Sequence, residues 1–530
     1  MSKRDNPMRA TLAVTLVVFL SKAFGFAREM IMASYFGTEA MMDAYKAAYS
    51  ILYIPVLLFT SCITSTMVPM YTQALGAGSM KRASRFASNV LNVFTVFSLW
   101  IAAAMYLLAR PLIHLVYNGF GGDKLALTVH LVRVMLPALP FIVVSIVLSS
   151  VLNARGKFVA AQLTGFPLSL SLIVAAMLFS GEVGVEAQAW GVVVAGLLQV
   201  AVLLPFMHGM MRYSSTFNLR DERFKKLLLL SGPAMFSMAI NELSHMVDNM
   251  FASGLPDGSV SALSYSFTLI TFLMGVLMVP LTTVVFSRMS GMAVRGDRKG
   301  IAAAVMQCTE LLAMVALPII AICIVLSPDI IRLAYQRGKF DEESVRVTAG
   351  AFGFFVAGLL AYGYRDLFNR AFHAIQNTAA PLAISAVGIV LNVVGDAALV
   401  GPFGANGLAA ATASSATIAA GVLFWMLRRR LGPMGGASTL EQLVRIAIAV
   451  VLCALVCVLL DRLMPPAAQL AAMGAFARLG GRLAAAAALF IRLAICAGGA
   501  LIAYVPAVAL LRVRQADALR EIFSRPRRAS

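Results

Sequence analysis

Charge is what this chain has least of. Asp, Glu, Lys and Arg make up 13% of its 530 residues, about half the share that coats a soluble domain. A water-exposed surface around a chain of this length is therefore excluded. Histidine occurs five times, at 114, 130, 208, 245 and 373. The five are scattered, so a histidine-based metal cluster is not expected. The six cysteines, Cys62, Cys308, Cys323, Cys453, Cys457 and Cys496, all lie in apolar runs without metal-ligand context. Packing is their expected role, and they carry no information on redox compartment. No GxxxxGK[ST] loop occurs, which excludes an ATP site of that kind, and no nucleophile–base set is recognisable. Without these, any work the chain does draws on an ion gradient, the membrane potential or the gradient of its cargo.

What is present is apolar sequence. Hydrophobic residues make up 60% of the chain, and the mean hydropathy is +0.86. A bilayer is crossed by about 20 apolar residues in a helix. Unbroken stretches such as LPALPFIVVSIVLSSVL, from Leu136, exclude the short alternating segments of a membrane β-barrel. The expected class is an all-α polytopic membrane protein. Fourteen spans are predicted, roughly at 10–36, 44–74, 86–117, 127–153, 158–180, 187–211, 225–253, 259–288, 300–327, 346–374, 380–401, 405–429, 440–463 and 487–511. The N-terminus imitates a signal peptide, but no small-x-small cleavage site follows, and it reads as an uncleaved first transmembrane helix.

The excess of base, net +19, has a pattern. Lys3, Arg4 and Arg9 precede span 1; Lys81, Arg82 and Arg85 follow span 2; Arg155 and Lys157 follow span 4. The same holds after spans 6, 8 and 12 and at the end of the chain, while most of the alternate loops are nearly free of base. This is the bias of cytoplasmic loops, so both termini are expected in the cytoplasm, with membrane lipids as the partners of the basic residues. Nucleic acid is not expected, because no basic stretch is interleaved with exposed aromatics. Two outer loops break the pattern. The loop 328–346 carries Arg332, Arg337 and Lys339, balanced by four acids; Arg478 and Arg482 in 464–486 have no explanation in the sequence. The tail RVRQADALREIFSRPRRAS reads as a basic amphipathic end on the inner leaflet.

An internal repeat is visible. PLIHLVYNGF at Pro111 is similar to PDIIRLAYQRGKF at Pro328, which matches Tyr117 with Tyr335. LNARGKFVAAQLTGFPLSLSLIV at Leu152 is similar to LFNRAFHAIQNTAAPLAISAVGIV at Leu367, with Pro167 on Pro381. The offset, about 215 residues, is close to six spans. Two parallel six-helix lobes follow, 1–215 and 216–431, with extra helices in 432–512 and a basic tail in 513–530.

Ionisable side chains at membrane depth are costly and point to function. Lys22, Arg28 and Glu29 lie inside span 1, and Arg133 lies on span 4. Arg28 and Glu29 are adjacent, about 100° apart on a helix, and are expected to pair poorly. Lys22 and Glu29 nearly share a face, and Gly25 between them suggests a close approach or bend. Asp43 and Lys46 are expected at a hydrated mouth of span 2. Cations held in a polar cavity suit an anionic cargo, and the Arg fork suits phosphate. The second half differs. Asn241, His245 and Asp248 share one face of span 7, Asn392 and Asp396 one face of span 11, and Thr412 lies on span 12. Asp248, Asn392, Asp396 and Thr412 form a candidate site for a small hard cation, Na⁺ or H⁺; an interhelical hydrogen-bond cluster is the alternative. Asp366 and Arg370 read as a structural i, i+4 couple.

Taken together, SKAFGFARE…FGTEAMMDAY, YQRGKF, FNRAFHAIQNTAAP and GLAAATASSA resemble the MurJ/MviN family, within the group that includes multidrug antiporters and polysaccharide flippases. The resemblance covers nearly the whole chain. It implies a flippase for lipid II, the undecaprenyl-pyrophosphate-linked peptidoglycan precursor, in the bacterial inner membrane. It also implies alternating access, a cationic cavity for the diphosphate, and a groove for the prenyl tail formed by the extra helices. By position, Lys22 stands where the family often has Arg, Arg28 matches the family arginine, Glu29 replaces a frequent Asp, and Asp43 matches the acid opening span 2. Asp248, Asn392, Asp396 and Thr412 fall where some members bind a cation. Two departures stand out: Phe267 and Thr268 lie where the family usually has an Arg in span 8, and IPVLLFTSCIT in span 2 has no central Arg. The lipid-linked cargo is the expected partner, with the cell-wall synthesis machinery alongside it. A flippase for another polyprenyl-pyrophosphate glycan and a cation-coupled multidrug antiporter are the rival functions.

Overall fold

A computed structural model of the chain describes residues 7–76, 80–377, 379–472 and 481–515, with the side chains of 7–15, 233–234, 236–243, 437, 472 and 482 left undescribed. Every regular element among them is helical. The chain divides into two compact units: Met1–Ser261 with Arg337–Asp341, and Ala262–Gln336 with Glu342–Ser530.

The first unit holds α1 (Pro7–Phe36), α2 (Ala40–Gly76), α3 (Met80–Val116), α4 (Gly122–Met135), α5 (Ala138–Ala154), α6 (Phe158–Gln162), α7 (Gly165–Val183), α8 (Glu186–Leu203) and α9 (Glu222–Ser253). The second holds most of α10 (Ser259–Leu273), then α11 (Val279–Val294), α12 (Arg298–Val325), α13 (Ser327–Tyr335), α14 (Glu342–Ala357), α15 (Leu359–Ala374), α16 (Ala379–Phe403), α17 (Ala405–Leu431), α18 (Ala437–Leu463), α19 (Ala467–Ala472) and α20 (Gly481–Leu510). Ten helical segments are long and apolar enough to cross a membrane, or twelve if the bent pairs α4/α5 (45°) and α14/α15 (42°) each count once. The protein is a multi-pass helical membrane protein. Of the fourteen expected spans, the other two coincide with α1 and α9, helices of 30 and 32 residues.

In hydrocarbon a helix satisfies its own backbone, and its hydroxyls must find partners too. Here many bond back one turn: Thr60 to the Val56 carbonyl at 2.8 Å, Thr66 to Cys62 at 2.5 Å, Thr412 to Leu408 at 3.0 Å. Asp221 starts α9 by accepting from the Arg223 and Phe224 N–H groups, and Asp297 starts α12 by accepting from Gly300, each an N-cap that satisfies orphan donors.

The repeat read from the sequence recurs as structure. Tyr117 and Tyr335 are both fully buried; Tyr117 stacks on Phe120 and Tyr335 packs on Tyr265, each with ring centroids 5.1 Å apart. Each is followed by a bent helix pair, and the two pairs end alike. After α5, Lys157 N–H bonds the Leu152 carbonyl at 2.9 Å; after α15, Asn377 N–H bonds Phe372 at 2.9 Å. Gly156 takes the left-handed position in the first case (φ 75°) and Gln376 in the second (φ 58°), where only glycine is free of steric cost.

In the first unit, the segment 337–341 lies along the end of α1. Lys339 N–H donates to the Ser34 carbonyl at 2.9 Å, and its ammonium lies 3.4 Å from Glu39. Gly338 has φ 59°, and a Cβ there would sit 2.1 Å from the Ser34 carbonyl oxygen, so no other residue fits. In the second unit, α18 and α20 pack on α12 around a core that includes Cys453, Cys457, Cys496 and Tyr504. All six cysteines are buried and unoxidised, in keeping with packing. Arg492 of α20 pairs with Asp329 of α13 and, at 2.6 Å, with Asp461 of α18. Arg332 pairs with Asp329 at 2.9 Å and with Glu342, which accounts for part of the base in loop 328–346. Arg478, the Arg482 side chain and tail residues 516–530 lie outside the described residues.

Candidate functional site

The charges of α1 meet those of α2. Glu29, 5% exposed, accepts from Arg28 Nη2 at 2.7 Å with one carboxylate oxygen and from Lys46 Nζ at 2.6 Å with the other. Two cations thus share one acid at membrane depth. The pairing of Arg28 with Glu29 corrects the expectation drawn from their 100° separation: the guanidinium is long enough to fold round the helix to its neighbour. Arg28 is only partly committed. Its side chain is 18% exposed, and its Nε is buried without a hydrogen-bond partner. Lys46, with a side chain 11% exposed, is not at a hydrated mouth, because Glu29 draws it inward.

Asp43 departs further from its expected place. It is 0% exposed. Its carboxylate accepts from Lys124 Nζ at 2.8 Å, from Gly258 N–H at 2.8 Å and from Ser261 N–H at 2.7 Å. It holds the start of α10, as a carboxylate at a helix N-terminus does. Lys124 also reaches Asp257 at 2.8 Å. Nothing in the sequence singles out Lys124, since a lysine in a polar loop reads as a solvated charge.

Lys22 is exposed, and no ion pair is seen for it among the described residues. The expected close approach at Gly25 is absent: α1 runs through it unbroken, and a Cβ there would meet nothing within 4 Å. Arg133 belongs to another cluster. Its Nε donates to the Tyr106 carbonyl at 3.3 Å, its guanidinium lies 5.0 Å from the Tyr106 ring, and with Arg110 and His130 it borders a cavity of about 320 Å³.

The candidate cation donors lie in both units. On α9 of the first, Asp248 lies 3.9 Å from His245; the Asn241 side chain is outside the described residues. In the second, Asn392 and Asp396 are 1% and 0% exposed, and the Asn392 amide donates to Asp396 at 3.5 Å. A Cβ on Gly395 would lie 2.9 Å from that of Ala411, so Asp396 and Thr412 flank a close approach of α16 and α17. The expected Asp366–Arg370 couple is present at 2.8 Å, and Thr282 donates to the same carboxylate at 2.6 Å.

A cavity of about 770 Å³ lies inside the second unit, between α12, α15, α17 and α18. Leu360, Phe368, Phe424 and Leu443 give it apolar walls, and Arg428 stands among its lining. Helix α18 therefore forms one wall of this largely apolar cavity.

The family profile "Lipid II flippase MurJ" matches residues 32–472. A protein of Rhizobium meliloti described as "Probable lipid II flippase MurJ" is 29% identical over 497 residues, 91% of this chain and 92% of its own. One of Buchnera aphidicola from Acyrthosiphon pisum, described in the same words, is 26% identical over 432 residues, 80% of this chain and 84% of its own. Among solved structures, "Lipid II flippase MurJ, inward closed conformation" aligns with a TM-score of 0.75 at 22% identity, covering 91% of this chain and 98% of that one. An inward-facing multidrug transporter of the MATE family aligns with a TM-score of 0.66 at 15% identity over 79% of this chain, which shows the fold in common. A profile matched over most of the chain, on a helical membrane fold, settles the matter: this chain belongs to the MurJ family of lipid II flippases, which are transporters and not enzymes.

Proposed function

We propose that the chain moves lipid II from the inner to the outer leaflet of the bacterial inner membrane by alternating access, with both termini in the cytoplasm. The observation that carries the reading is the Arg28–Glu29–Lys46 triad: two cations share one buried acid, and Arg28 keeps an unpaired buried donor. A diphosphate is the ligand such a site suits, because charge-assisted bonds to a planar guanidinium are strong and directional. Lys22 serves as an exposed cation on the approach, Asp43 positions the start of α10, and Arg133 meets phosphate at a second cluster. The apolar chamber beside α18 takes the prenyl tail. The repeat halves 1–215 and 216–431 act as the rocking lobes, with 432–512 adding the tail-binding helices.

For coupling, Asn392, Asp396 and Thr412 are read as oxygen donors to Na⁺ or H⁺ in the second unit, with Asp248 of the first unit as a further acid tested alongside them. A membrane potential of about 100 mV is worth about 2.3 kcal/mol per charge moved, enough to bias a two-state cycle strongly. The cell-wall synthesis machinery consumes the product outside.

The test is translocation of labelled lipid II by purified protein in vesicles with no other protein present. Arg28→Glu should abolish it. Normal flipping by Arg28→Glu, or export of cationic dyes without lipid movement, overturns the reading.

A further inference from the structure

A second cavity, of about 390 Å³, lies wholly within the first unit between α2, α5, α7 and α8. Its size is that of a small-molecule site, about 300–1,000 Å³. Its lining is unusual for membrane depth. Ser145, Ser149 and Asn153 of α5 point to it at i, i+4 and i+8, and Gln199 of α8 faces Ser145 at 3.2 Å. Thr60 and Thr64 of α2 add hydroxyls, and none of the lining residues is charged. Two of its hydroxyls, on Ser149 and Ser150, are buried with no hydrogen-bond partner, and Ser150 is 1% exposed. Buried polar groups are almost always paired, and an orphan asks for a ligand or water. The wall also carries aromatic faces. Tyr49 and Tyr53 stack at 5.8 Å, Tyr45 stacks on Tyr49 at 6.2 Å, and Lys46 of the triad sits one residue from Tyr45 on the same helix. The ladder leads from the cationic triad into the neutral cavity.

We propose that this cavity binds a neutral N-acetylated amino sugar of the cargo head group while the triad holds the diphosphate. The inference rests on the flippase reading above. The absence of charge favours a neutral occupant over an anion or cation. Hydroxyls and amides both donate and accept, as a sugar's hydroxyls and N-acetyl group require. Tyrosine rings offer an apolar face to the C–H face of a pyranose while keeping a polar tip. The short connection that ends α5 at Asn153 precedes Arg155 and Lys157, the basic loop assigned to the cytoplasm, so this end of the cavity lies toward the side from which cargo is loaded.

The experiment compares two lipids, lipid II and undecaprenyl pyrophosphate, which share tail and diphosphate; the second lacks the head-group sugars and the peptide they carry. Binding of each to purified protein in nanodiscs is measured with Ser149→Ala/Ser150→Ala and, separately, with Gln199→Leu. Each lost hydrogen bond weakens binding about five-fold, so lipid II should bind the double variant about 10–25-fold more weakly, with sugarless lipid unchanged. The melting temperature of the empty double variant should hold or rise, because neither hydroxyl has a partner to lose. Unchanged lipid II affinity, or an equal loss for both lipids, overturns the proposal. If the double variant fails to fold, the orphan hydroxyls are structural and the proposal falls unless Gln199→Leu shows the same selective loss. Failure of both lipids to bind the unaltered protein overturns the flippase reading instead.

Discussion

Glu29→Gln removes the one acid that Arg28 and Lys46 share. The carboxylate is 6% exposed and accepts at 2.7 and 2.6 Å, so neither cation can turn to bulk water without leaving its place. Breaking a buried ion pair by removing one partner costs about 3–5 kcal/mol, because a desolvated charge stays behind. Glutamine keeps one acceptor and turns an N–H₂ toward the other cation, so the cost should fall near that range. Against a total of about 5–15 kcal/mol for a folded domain, the loss is large. The assay is thermal or denaturant unfolding of purified protein in detergent, run as a double-mutant cycle with Lys46→Met. The double variant leaves one cation facing one amide oxygen and should recover more than half of the loss. The same change should tighten binding of undecaprenyl pyrophosphate while slowing flipping, since Glu29 no longer competes with the diphosphate for the two cations. Glu29→Gln melting as the unaltered protein does, or no recovery in the double variant, refutes the shared-acid argument.

Three further outcomes follow from other sites. Arg492→Leu removes the cation that joins Asp329 and Asp461 across α13, α18 and α20; Asp329 keeps Arg332, so the change should cost about 1.5–3 kcal/mol, read as a lower unfolding midpoint. Gln376→Gly relieves a left-handed residue where the first half already has Gly156; it should stabilise by up to about 1 kcal/mol, a rise in melting temperature with flipping unchanged. Gly395→Ala places a methyl 2.9 Å from the Ala411 Cβ and should separate α16 from α17, costing about 1–3 kcal/mol by overpacking and weakening any Na⁺ dependence of transport.

Much of the fold is legible in the sequence because hydropathy and turn chemistry are local signals. All fourteen expected segments coincide with helices, since an apolar run of the right length in a bilayer has little else to become. The repeat is legible for the same reason: Tyr117 and Tyr335 end matching helices, and the residues after them start matching bent pairs. Charged side chains within apolar segments are legible from their rarity, but their pairing is not, because helical angles describe where Cβ atoms point and not where a long side chain ends. Arg28 reaches Glu29 in spite of the 100° between them. Asp43 was misplaced because the sequence cannot show that Lys124 and the N–H groups of Gly258 and Ser261 converge on it. The neutral cavity carries a signal in spacing and not in charge: Ser145, Ser149 and Asn153 at i, i+4, i+8 on α5, and Tyr45, Tyr49 and Tyr53 at the same spacing on α2.

A flippase must release what it binds, and this constrains how its charges can be arranged. To move a two-state equilibrium from 1:99 to 99:1 a ligand needs about 5.5 kcal/mol of differential affinity. Uniformly tight binding contributes nothing to that difference and slows departure. Two bare desolvated cations around a diphosphate would bind it tightly in every state. Glu29 between Arg28 and Lys46 offers the cations an internal anion, so cargo competes with a partner that is always present. Departure then leaves the cations paired rather than exposed. Recognition of the class of cargo can rest on this tempered charge, whereas distinction among polyprenyl diphosphates cannot, because all of them carry the same anion. That distinction has to come from groups that read neutral hydroxyls and amides, and hydrogen-bonding sites reject ligands that leave their polar groups unpaired. In the first unit the two kinds of group are neighbours on one helix, with Lys46 in the triad and Tyr49 in the wall of the uncharged cavity.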